Sequence, residues 1–377
     1  MIVANKSKPL WQSIGEINLT EQKQRPSWRL PILLLLLLAL VAGIIFWLFS
    51  SYRPKQKPFE ITSTGMGTYV QQTIYGKNAQ AAATAAMKAV NELEELISWR
   101  IEDSDIAKLN QEAGNDWIAI DKRTMDLLEQ CLDVAQQSAG AFDPTILPLS
   151  ALWDIGGENQ QLPPSEKIQK FIPYVDYKNL RLDKAEGTAS LKNSLDALDL
   201  GAAGKGAACD QAVKAYESSK AECGIVSVGG SVGLYGAKAD GSDWLVAIRD
   251  PQKQLTGEGS AAMGTLSLED GFLSTSGSYE KYFEQDGVLY HHILDPRTGY
   301  PAESGLLSVT VYAENGALSD LLSTACFLLG LEKGKALLDY YGAQGVFIDE
   351  GKGVYVTDGL QDALTITNEA YQLREWP

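Results

Sequence analysis

Apolar residues recur at two different spacings along the chain. Residues 68–75 are enriched in β-branched and aromatic side chains, which is typical of a strand, and residues 81–97 place apolar side chains at helical spacing. The same helical spacing predicts a second helix over residues 124–138, with Gly140 as its stop signal. The folded region is therefore expected to begin with a strand followed by helices.

The second half of the chain mixes strand and helix patterns. Residues 198–206 pass from an apolar run through glycines into the helical pattern of residues 207–220, so a glycine-rich turn should open a helix there. Short strands and one further helix, closed by Gly330, are predicted at residues 225–228, 244–248, 263–268, 306–312 and 316–329. Because strands and helices are interspersed, the pattern predicts an α+β fold.

The longest apolar run covers residues 30–52 and has no charged residue between Arg29 and Arg53. As a helix it would extend about 34 Å, which is enough for a hydrocarbon core of about 30 Å. A cleaved signal peptide is the alternative, but its apolar region is usually about 7–15 residues long and ends in small residues. This run is longer and ends in large apolar residues, so we expect one uncleaved transmembrane helix.

Basic residues on either side of this run indicate an orientation. Five Lys/Arg precede it and three follow it closely, which favours a cytoplasmic N-terminus. The predicted organisation is therefore a cytoplasmic segment at residues 1–29, a transmembrane anchor at 30–52, a tether at 53–59 and a folded domain at 60–377. The folded domain would lie outside the cytoplasmic (inner) membrane, held by a single span.

Charge and cysteine content narrow the function classes. Residues 1–57 carry a net charge of +6, so the whole-chain value of −16 leaves −22 for residues 58–377. A domain this acidic is not expected to bind nucleic acid. The four cysteines show no C-x-x-C spacing and mostly fall inside apolar helical patterns, so core packing is expected, and a disulfide remains an open alternative.

The only two histidines of the chain are adjacent, at His291 and His292. Imidazole titrates near neutral pH, so a histidine concentrated in one segment can accept or donate a proton there. The alternative is a strand that ends in a turn, with one histidine packed in the core and the other solvated. If the segment is a strand, the two side chains face opposite sides, and His291 is the structural one.

A glycine-rich segment precedes the predicted helix at residues 207–220. Gly201, Gly204 and Gly206 surround Lys205, but the spacing does not match the phosphate loop G-x-x-x-x-G-K-[ST]. Glycines, a helix N-terminus and a lysine can still bind an anion. Close packing of helix on sheet explains the same glycines equally well.

Three oxygen-bearing residues share one face of the predicted helix at residues 316–329. Asp320, Ser323 and Thr324 stand at positions i, i+3 and i+4. Hard oxygen donors in this arrangement suit Mg²⁺, which takes its remaining ligands from water and phosphate. The alternative is an aspartate that interacts with the helix dipole and two small residues packed beneath a sheet.

Taken together and in order, several short segments resemble the ApbE family of flavin transferases, the FAD:protein FMN transferases. The resemblance covers the chain from about residue 66 to about residue 350. The segments that carry it are Gly-Met-Gly-Thr at 65–68, Ser-Trp at 98–99 followed by residues 103–110, Gly-Ala-Phe-Asp-Pro-Thr at 140–145, residues 198–206, Val-Gly-Gly at 228–230, Thr-Ser-Gly at 275–277, His-x-x-Asp-Pro-x-Thr-Gly at 292–299 and Asp-x-x-Ser-Thr at 320–324.

This resemblance implies an α+β fold of the ApbE (T-fold-like) type and a Mg²⁺-dependent enzyme. Such an enzyme uses FAD as its substrate, cleaves the pyrophosphate, releases AMP and joins FMN through a phosphoester to a threonine of an acceptor protein. The acceptors are typically flavoprotein subunits of membrane redox complexes. They are modified outside the cytoplasm, which agrees with the orientation predicted for the anchor.

The resemblance also implies roles for individual residues. His292 matches the family histidine and would act as the catalytic base. The flavin-binding positions are Met66, Trp99, Ala141, Phe142, Asp143, Asp199, Lys205 and Leu294. The positions at or beside the metal are Ala202 (through its carbonyl), Asp320, Ser323 and Thr324.

Two positions depart from the family pattern. Ser231 stands where an acidic residue often follows Gly-Gly, and Ala207 stands where an aromatic residue is frequent after Lys-Gly. Neither change removes His292 or a metal position, although both can reshape the flavin pocket. The alternatives to transfer are hydrolysis of FAD to FMN and AMP, and a flavin-binding protein without turnover.

Overall fold

The computed structural model describes residue 32 and residues 35–44, 57–238, 240–252 and 262–377. The chain divides into two units, Met1–Pro54 and Lys55–Pro377. In the first unit, residues 32 and 35–44 are helical. Among the described residues no helix combines the length and the apolar character needed to cross a membrane. The rest of the predicted span over residues 30–52, the predicted segment 1–29 and most of the predicted tether 53–59 lie outside the described residues.

The second unit alternates strands and helices, as the sequence predicts. Its strands are β1 (Phe59–Gly65), β2 (Thr68–Tyr75), β3 (Ile118–Ala119), β4 (Leu180–Asp183), β5 (Thr188–Leu191), β6 (Cys223–Val228), β7 (Ser231–Tyr235), β8 (Trp244–Arg249), β9 (Ala262–Leu268), β10 (Gly271–Gly277), β11 (Tyr282–Gln285), β12 (Val288–His291), β13 (Leu306–Ala313), β14 (Gln344–Asp349), β15 (Gly353–Val356), β16 (Leu364–Ile366) and β17 (Gln372–Leu373). Its helices are α1 (Ala79–Ile97), α2 (Asp105–Gln111), α3 (Lys122–Gln137), α4 (Leu147–Trp153), α5 (Ser165–Phe171), α6 (Gly204–Ser218), α7 (Gly316–Leu329) and α8 (Leu331–Tyr341).

A nine-stranded sheet forms the centre of this unit, in the order β1-β2-β6-β7-β10-β13-β14-β15-β17. All of its pairings are antiparallel except β15 with β17. Three smaller sheets accompany it, with the orders β11-β12, β16-β9-β8 and β3-β5-β4. The mixture of a largely antiparallel sheet with helices is the expected α+β class.

Both faces of the large sheet are covered, which explains its apolar strands. One face packs with α1, α6 and α7 in the main core, where Val228 of β6, Val309 of β13 and Leu322 of α7 are fully buried. The other face packs against the small sheet that contains β8 and β9, where Trp244 and Leu266 contribute to a second core. All four cysteines are buried, as core packing predicts. A strand covered on both sides loses the simple alternation of apolar and polar residues.

The N-termini of α6 and α7 meet through two glycines. A Cβ atom built on Gly206 would lie 1.9 Å from the carbonyl oxygen of Gly316, and one built on Gly316 would lie 2.3 Å from the carbonyl oxygen of Gly206. Asp210 of α6 accepts hydrogen bonds from the N–H groups of Gly316 and Ala317, at 2.7 and 2.9 Å. In the opposite direction, Asp320 of α7 accepts a bond of 3.0 Å from the N–H of Gly206. Each helix therefore caps the other.

The substitution Gly206→Ala tests this contact. In an open helix, replacement of glycine by alanine stabilises by about 1 kcal/mol. Here the added methyl group meets backbone rather than a flexible side chain, so we expect the free energy of unfolding to fall by about 3 kcal/mol. Urea unfolding followed by circular dichroism measures the change. The exposed control Glu217→Ala, in the same helix, should stay within about 0.5 kcal/mol of the wild type, and stabilisation by Gly206→Ala would contradict the contact.

Candidate functional site

Polar and charged residues from four segments meet around the N-terminus of α6. The aliphatic part of Lys205 lies over the turn between β6 and β7, since a Cβ on Gly229 would be 3.3 Å from its Cδ atom. Its Nζ atom donates to the carbonyl of Gly201 at 3.2 Å and lies 3.7 Å from Oδ1 of Asp320. Burial alone would lower the pKa of Lys205, but the carboxylates of Asp320 and Glu280 outweigh it and raise the pKa. Lys205 is therefore a fixed positive charge in this site.

The Asp320 carboxylate is buried, with 2% of the residue exposed. Its Oδ2 atom accepts the hydrogen bond from Gly206, and its Oδ1 atom faces Lys205. A buried carboxylate needs such partners because it has lost its hydration. One oxygen of Asp320 is thus committed to the backbone, and the other is directed towards the charged part of the site.

The hydroxyl groups that follow Asp320 contact β10. The Oγ atom of Ser276 lies 2.7 Å from Oγ of Ser323 and 3.0 Å from Oγ1 of Thr324. Ser323 also donates to the main-chain carbonyl of Asp320 at 2.8 Å and is fully buried. Ser323 consequently joins the first turns of α7 to β10. Thr324 is only half-buried. Ser276 lies in the Thr-Ser-Gly segment of the family resemblance but was not among the predicted site residues.

Three of the predicted metal positions carry oxygen atoms of a kind that suits a Mg²⁺ ion completed by water and phosphate. Asp320, Thr324 and the carbonyl of Ala202 offer hard oxygen atoms of the kind that Mg²⁺ prefers. Among the described residues there is no group of three His, Cys, Asp or Glu side chains that could hold a metal by themselves. One carboxylate, one hydroxyl group and one carbonyl are a donor set for a cation that keeps water or phosphate among its ligands.

His292 follows directly after β12, and its main-chain N–H donates to the carbonyl of Lys281 at 3.0 Å. Its Nδ1 atom is buried and has no hydrogen-bond partner. Burial, followed by the positive charges of Lys205 and Lys281, lowers the pKa of His292 to about 3. The imidazole is therefore neutral near pH 7.

His291 has the structural role expected for it. Its Nε2 atom lies 3.0 Å from the carbonyl of Ala302, and its Nδ1 atom accepts the N–H of Ile293 at 3.3 Å. The ring packs edge-on against Phe327, with 5.6 Å between the ring centroids. Burial lowers the pKa of His291, so this histidine is a neutral core residue.

The loop with three of the predicted flavin-binding positions is held by the Asp143 carboxylate. Asp143 accepts bonds from the N–H and hydroxyl of Thr145, at 2.8 and 2.6 Å, and from the N–H of Tyr177 at 2.8 Å. Burial outweighs these bonds and raises the pKa of Asp143 to about 6. Its neighbours Ala141 and Phe142 are buried in the main core.

Asp199 joins this loop to the turn before α6. Its N–H donates to the carbonyl of Pro144 at 2.9 Å, and its Oδ1 atom accepts the N–H of Gly201 at 2.9 Å. Ser150 of α4 donates to the other carboxylate oxygen at 3.3 Å. The structure thereby brings the loop at residues 141–145 next to the segment that contains Ala202 and Lys205.

Met66 occupies the turn between β1 and β2, with a positive φ of 54°. Its N–H donates to the Glu94 carboxylate at 2.8 Å, and its methyl group lies against Gly204, where a Cβ would be only 2.9 Å away. Met66 therefore packs directly on the first residue of α6. A cavity of about 510 Å³ opens beside this turn and is lined by Thr64, Gly65, Gly67, Thr68, Tyr69 and Glu94.

The two remaining flavin-binding positions lie in different surroundings. Trp99 is half-buried, its Nε1 atom is buried without a partner, and the Arg100 guanidinium lies 4.0 Å from the centroid of its ring. Leu294 is buried in a separate cluster with Leu149 and Trp153. Within the described part of the chain, no hydrogen bond or ring contact links Trp99 or Leu294 to Lys205 or Asp320.

Comparisons with known proteins support the family resemblance found in the sequence. The sequence profile of the ApbE family matches residues 66–347. A protein of Treponema pallidum named FAD:protein FMN transferase is 32% identical over 339 residues, which covers 85% of this chain and 92% of the relative. A protein of Escherichia coli K12 with the same name is 30% identical, with 80% and 88% covered.

The chain belongs to the ApbE family.

Solved structures of ApbE proteins share the fold. The crystal structure of the ApbE protein of Thermotoga maritima matches with a TM-score of 0.74 at 33% identity and covers 80% of this chain and 98% of that one. The flavin transferase ApbE of Vibrio cholerae matches with a TM-score of 0.72 at 24% identity, covering 82% and 99%, and this likeness concerns the fold alone. The expected α+β fold of the ApbE type is thus confirmed.

The two departures from the ApbE pattern are accommodated inside the core. Ser231 is 1% exposed, and its Oγ atom lies 3.0 Å from that of Ser274 on β10. Ala207, with 6% exposed, belongs to the main core. Sequence reasoning did not identify Glu280, whose carboxylate lies near Lys205 in the structure. The position of this carboxylate, three residues after the Thr-Ser-Gly segment, is the sequence signal that could have identified Glu280.

The pH dependence of the unfolding free energy tests the role of Asp143 in the loop at residues 141–145. Its pKa is raised on folding, so its stabilising contribution is full below the unfolded pKa of about 4 and is lost as the pH rises through about 6. The Asp143→Asn variant lacks this titration. Relative to this variant, the wild type should therefore lose about 2 kcal/mol of unfolding free energy between pH 4.5 and pH 7.5.

Urea unfolding at the two pH values measures this difference. The exposed Asp362→Asn variant, measured at the same two pH values, is the control for the substitution itself. A difference between Asp143→Asn and the wild type that stays constant with pH would show that the Asp143 carboxyl group is not desolvated in the folded protein.

Proposed function

We propose that this chain is an FAD:protein FMN transferase, which transfers FMN from FAD to a threonine of an acceptor flavoprotein and releases AMP. The relatives with this name, at about a third identity over most of the chain, give the first support. The observation that carries the proposal is the meeting of a neutral histidine, a fixed lysine and a buried aspartate at the N-terminus of α6. These are the groups that phosphoryl transfer needs for positioning and charge stabilisation.

In this reaction the threonine Oγ atom forms a bond to the FMN phosphorus, and the bond from that phosphorus to the bridging oxygen of the pyrophosphate breaks. AMP leaves with that oxygen, and the hydroxyl proton passes to a base. His292 would take this role, supported by its neutral ring and by an Nδ1 atom that has no hydrogen-bond partner. A neutral imidazole accepts the proton as the nucleophile attacks.

Lys205 and the residues around it hold the pyrophosphate. The raised pKa keeps its ammonium group charged, and the contacts to Gly201 and Asp320 fix its position. A charge held in place before the substrate arrives needs no reorganisation as negative charge develops. The loop with Ala141, Phe142 and Asp143 is joined to this segment through Asp199 and borders the flavin side of the site.

Mg²⁺ completes the site in this proposal. Asp320, Thr324 and the Ala202 carbonyl would hold it, with Ser323 supporting the turn beneath. When bound, it would neutralise phosphate oxygens and stabilise the AMP leaving group.

An in vitro transfer assay tests the function. The full-length chain is incubated with FAD, Mg²⁺ and an acceptor protein, and the intact mass of the acceptor and the released AMP are measured. We expect an FMN-sized mass gain that falls by about 10²- to 10⁴-fold in rate for His292→Ala, because the base is lost. Asp320→Asn keeps an acceptor for Gly206 while it removes the charge, and it should raise the Mg²⁺ concentration that the reaction requires.

The control for these variants is Glu284→Gln, an exposed carboxylate on β11. It should transfer FMN at the wild-type rate. Release of AMP without modification of the acceptor would identify FAD hydrolysis as the activity instead. Binding of FAD without either product would assign the protein to the flavin-binding class.

We also propose that residues 30–52 anchor the enzyme in the cytoplasmic membrane, with residues 60–377 outside the cytoplasm. The support is the uncharged apolar run and the excess of basic residues before it. The acceptor would then be a flavoprotein subunit of a membrane redox complex that faces the same compartment.

Membrane fractionation tests this location. The full-length protein should stay in the membrane fraction after washing at alkaline pH, whereas a variant that lacks residues 1–56 should be released. Protease added to intact spheroplasts should degrade residues 60–377 only if they lie outside the cytoplasm. A wild-type protein recovered in the wash would contradict the anchor.

A further inference from the structure

Three hydroxyl groups form a short chain between β10 and α7. The side-chain oxygen of Ser276 on β10 lies 2.7 Å from that of Ser323 and 3.0 Å from that of Thr324. Ser323 continues the chain, since its hydroxyl donates to the main-chain carbonyl of Asp320 at 2.8 Å. Ser276 and Ser323 are buried, whereas Thr324 is half-buried. Thr324 is therefore the member of the chain that is most accessible to a ligand.

A count of protons gives this chain one direction. Each hydroxyl group has one proton to donate, and the carbonyl of Asp320 can only accept. The proton of Ser323 goes to that carbonyl, so the bond between Ser276 and Ser323 must use the proton of Ser276. The bond between Ser276 and Thr324 must then use the proton of Thr324. In the arrangement that satisfies all three bonds, Thr324 donates to Ser276.

This direction determines what Thr324 offers to a further partner. With its proton donated to Ser276, the Oγ1 atom of Thr324 has only lone pairs left, and lone pairs are what a cation requires of its ligand. A hydroxyl group that lacks such an acceptor can rotate and present its proton instead. Thr324 stands four residues after Asp320 and on the same face of α7, so the two share the side that offers oxygen atoms to a cation.

The other face of the sheet holds a similar pair of hydroxyl groups. Thr275, next to Ser276 on β10, lies opposite Thr310 of β13, with 2.9 Å between their Oγ1 atoms. The residues on either side of Thr310 belong to the core that contains α7, so Thr310 itself is on the opposite face. This second pair joins two strands and includes no residue of α7. It therefore provides a matched control for the chain at Ser276.

We propose that Ser276 is a positioning residue for the divalent cation: it accepts the proton of Thr324 and thereby leaves the lone pairs of Thr324 Oγ1 available to the metal. This inference rests on the proposed function, because it concerns the cation of the same site. A residue of this kind contacts the ligand rather than the metal. Such partners orient the ligand and raise the affinity for the metal.

Binding of Mn²⁺ to the full-length protein tests the inference without any turnover. Free Mn²⁺ is measured by electron paramagnetic resonance as it is titrated into the protein, alone and with saturating FAD in the His292→Ala background. We expect Ser276→Ala to weaken Mn²⁺ binding by about tenfold, because Thr324 loses its acceptor. Thr310→Val removes a hydroxyl group from the other face of the sheet, keeps the shape of the side chain and should leave Mn²⁺ binding unchanged.

A double-mutant cycle separates positioning from a general effect on packing. In the Thr324→Val background there is no hydroxyl group left to orient, so Ser276→Ala should cause no further loss of affinity. The Thr324→Ser background retains the hydroxyl group, and Ser276→Ala should again weaken Mn²⁺ binding by about tenfold. A purely structural role of Ser276 would give the same loss in both backgrounds. If Thr324→Val binds no Mn²⁺, the comparison of Ser276→Ala with Thr310→Val decides.

Three results would overturn the inference: wild-type affinity in Ser276→Ala, an equal loss in Thr310→Val, or an equal loss in the Thr324→Val and Thr324→Ser backgrounds. The absence of Mn²⁺ binding to the parent protein in both arms would also overturn it. The proposed function is judged separately by the mass gain of the acceptor. A working transferase with unchanged Mn²⁺ binding in Ser276→Ala would therefore contradict the inference alone.

Discussion

The rest of the site depends on the contact between Gly206 and Gly316, which holds the N-termini of two helices together. Helix N-termini carry partial positive charge, so two of them in contact repel each other unless an anion lies between them. Asp210 and Asp320 supply that negative charge reciprocally, each by accepting N–H groups of the other helix. The pair of glycines therefore requires a buried carboxylate next to Lys205. The same glycine contact determines how the two helices pack and where Asp320 lies, because any side chain on either glycine would separate the helices and move Asp320 away.

Local charge, rather than the net charge of the domain, determines how the N-terminus of α6 in this acidic protein would attract an anion. Residues 58–377 carry about −22, but Lys205, Lys281 and Arg249 lie in the same neighbourhood around Glu280. Positive charge in a site with little water acts strongly at short range and is not cancelled by distant surface carboxylates, which salt screens. The same cations help to keep His292 neutral. One group of positive charges thus lies where an anion would be attracted and also lowers the pKa of His292.

Periodicity predicted the helices and strands that are determined by their own residues. It failed for elements whose structure is determined by contacts with a neighbouring element. The strand at residues 68–75 and the helix at residues 316–329 have the predicted bounds. Strand β10 was not predicted, because its run of serine and threonine is as typical of a turn as of a strand. Those hydroxyls pair with α7, for example Ser276 with Ser323, and this pairing is a tertiary contact that a local pattern does not contain. His292 and Asp320 were predicted as site residues from their residue types and from the family resemblance. Glu280 approaches the turn between β6 and β7 only because Gly230, fifty residues away, has no side chain.

The surroundings of the turn between β6 and β7 explain why Ser231 can stand where an acidic residue often follows Gly-Gly. The Ser231 side chain lies in the layer between β10 and α7, where its hydroxyl meets Ser274, which in turn lies 2.9 Å from Ser319. A carboxylate at this position would enter a layer of neutral hydroxyls and would need new partners there. Glu280 instead reaches the turn at Gly230, where Lys205, Lys281 and Arg249 favour its charged form although loss of water around the carboxyl group still raises its pKa. Negative charge is thereby retained close to Lys205 while the layer beneath α7 stays neutral, so that Asp320 remains the charged group with which α7 faces the site.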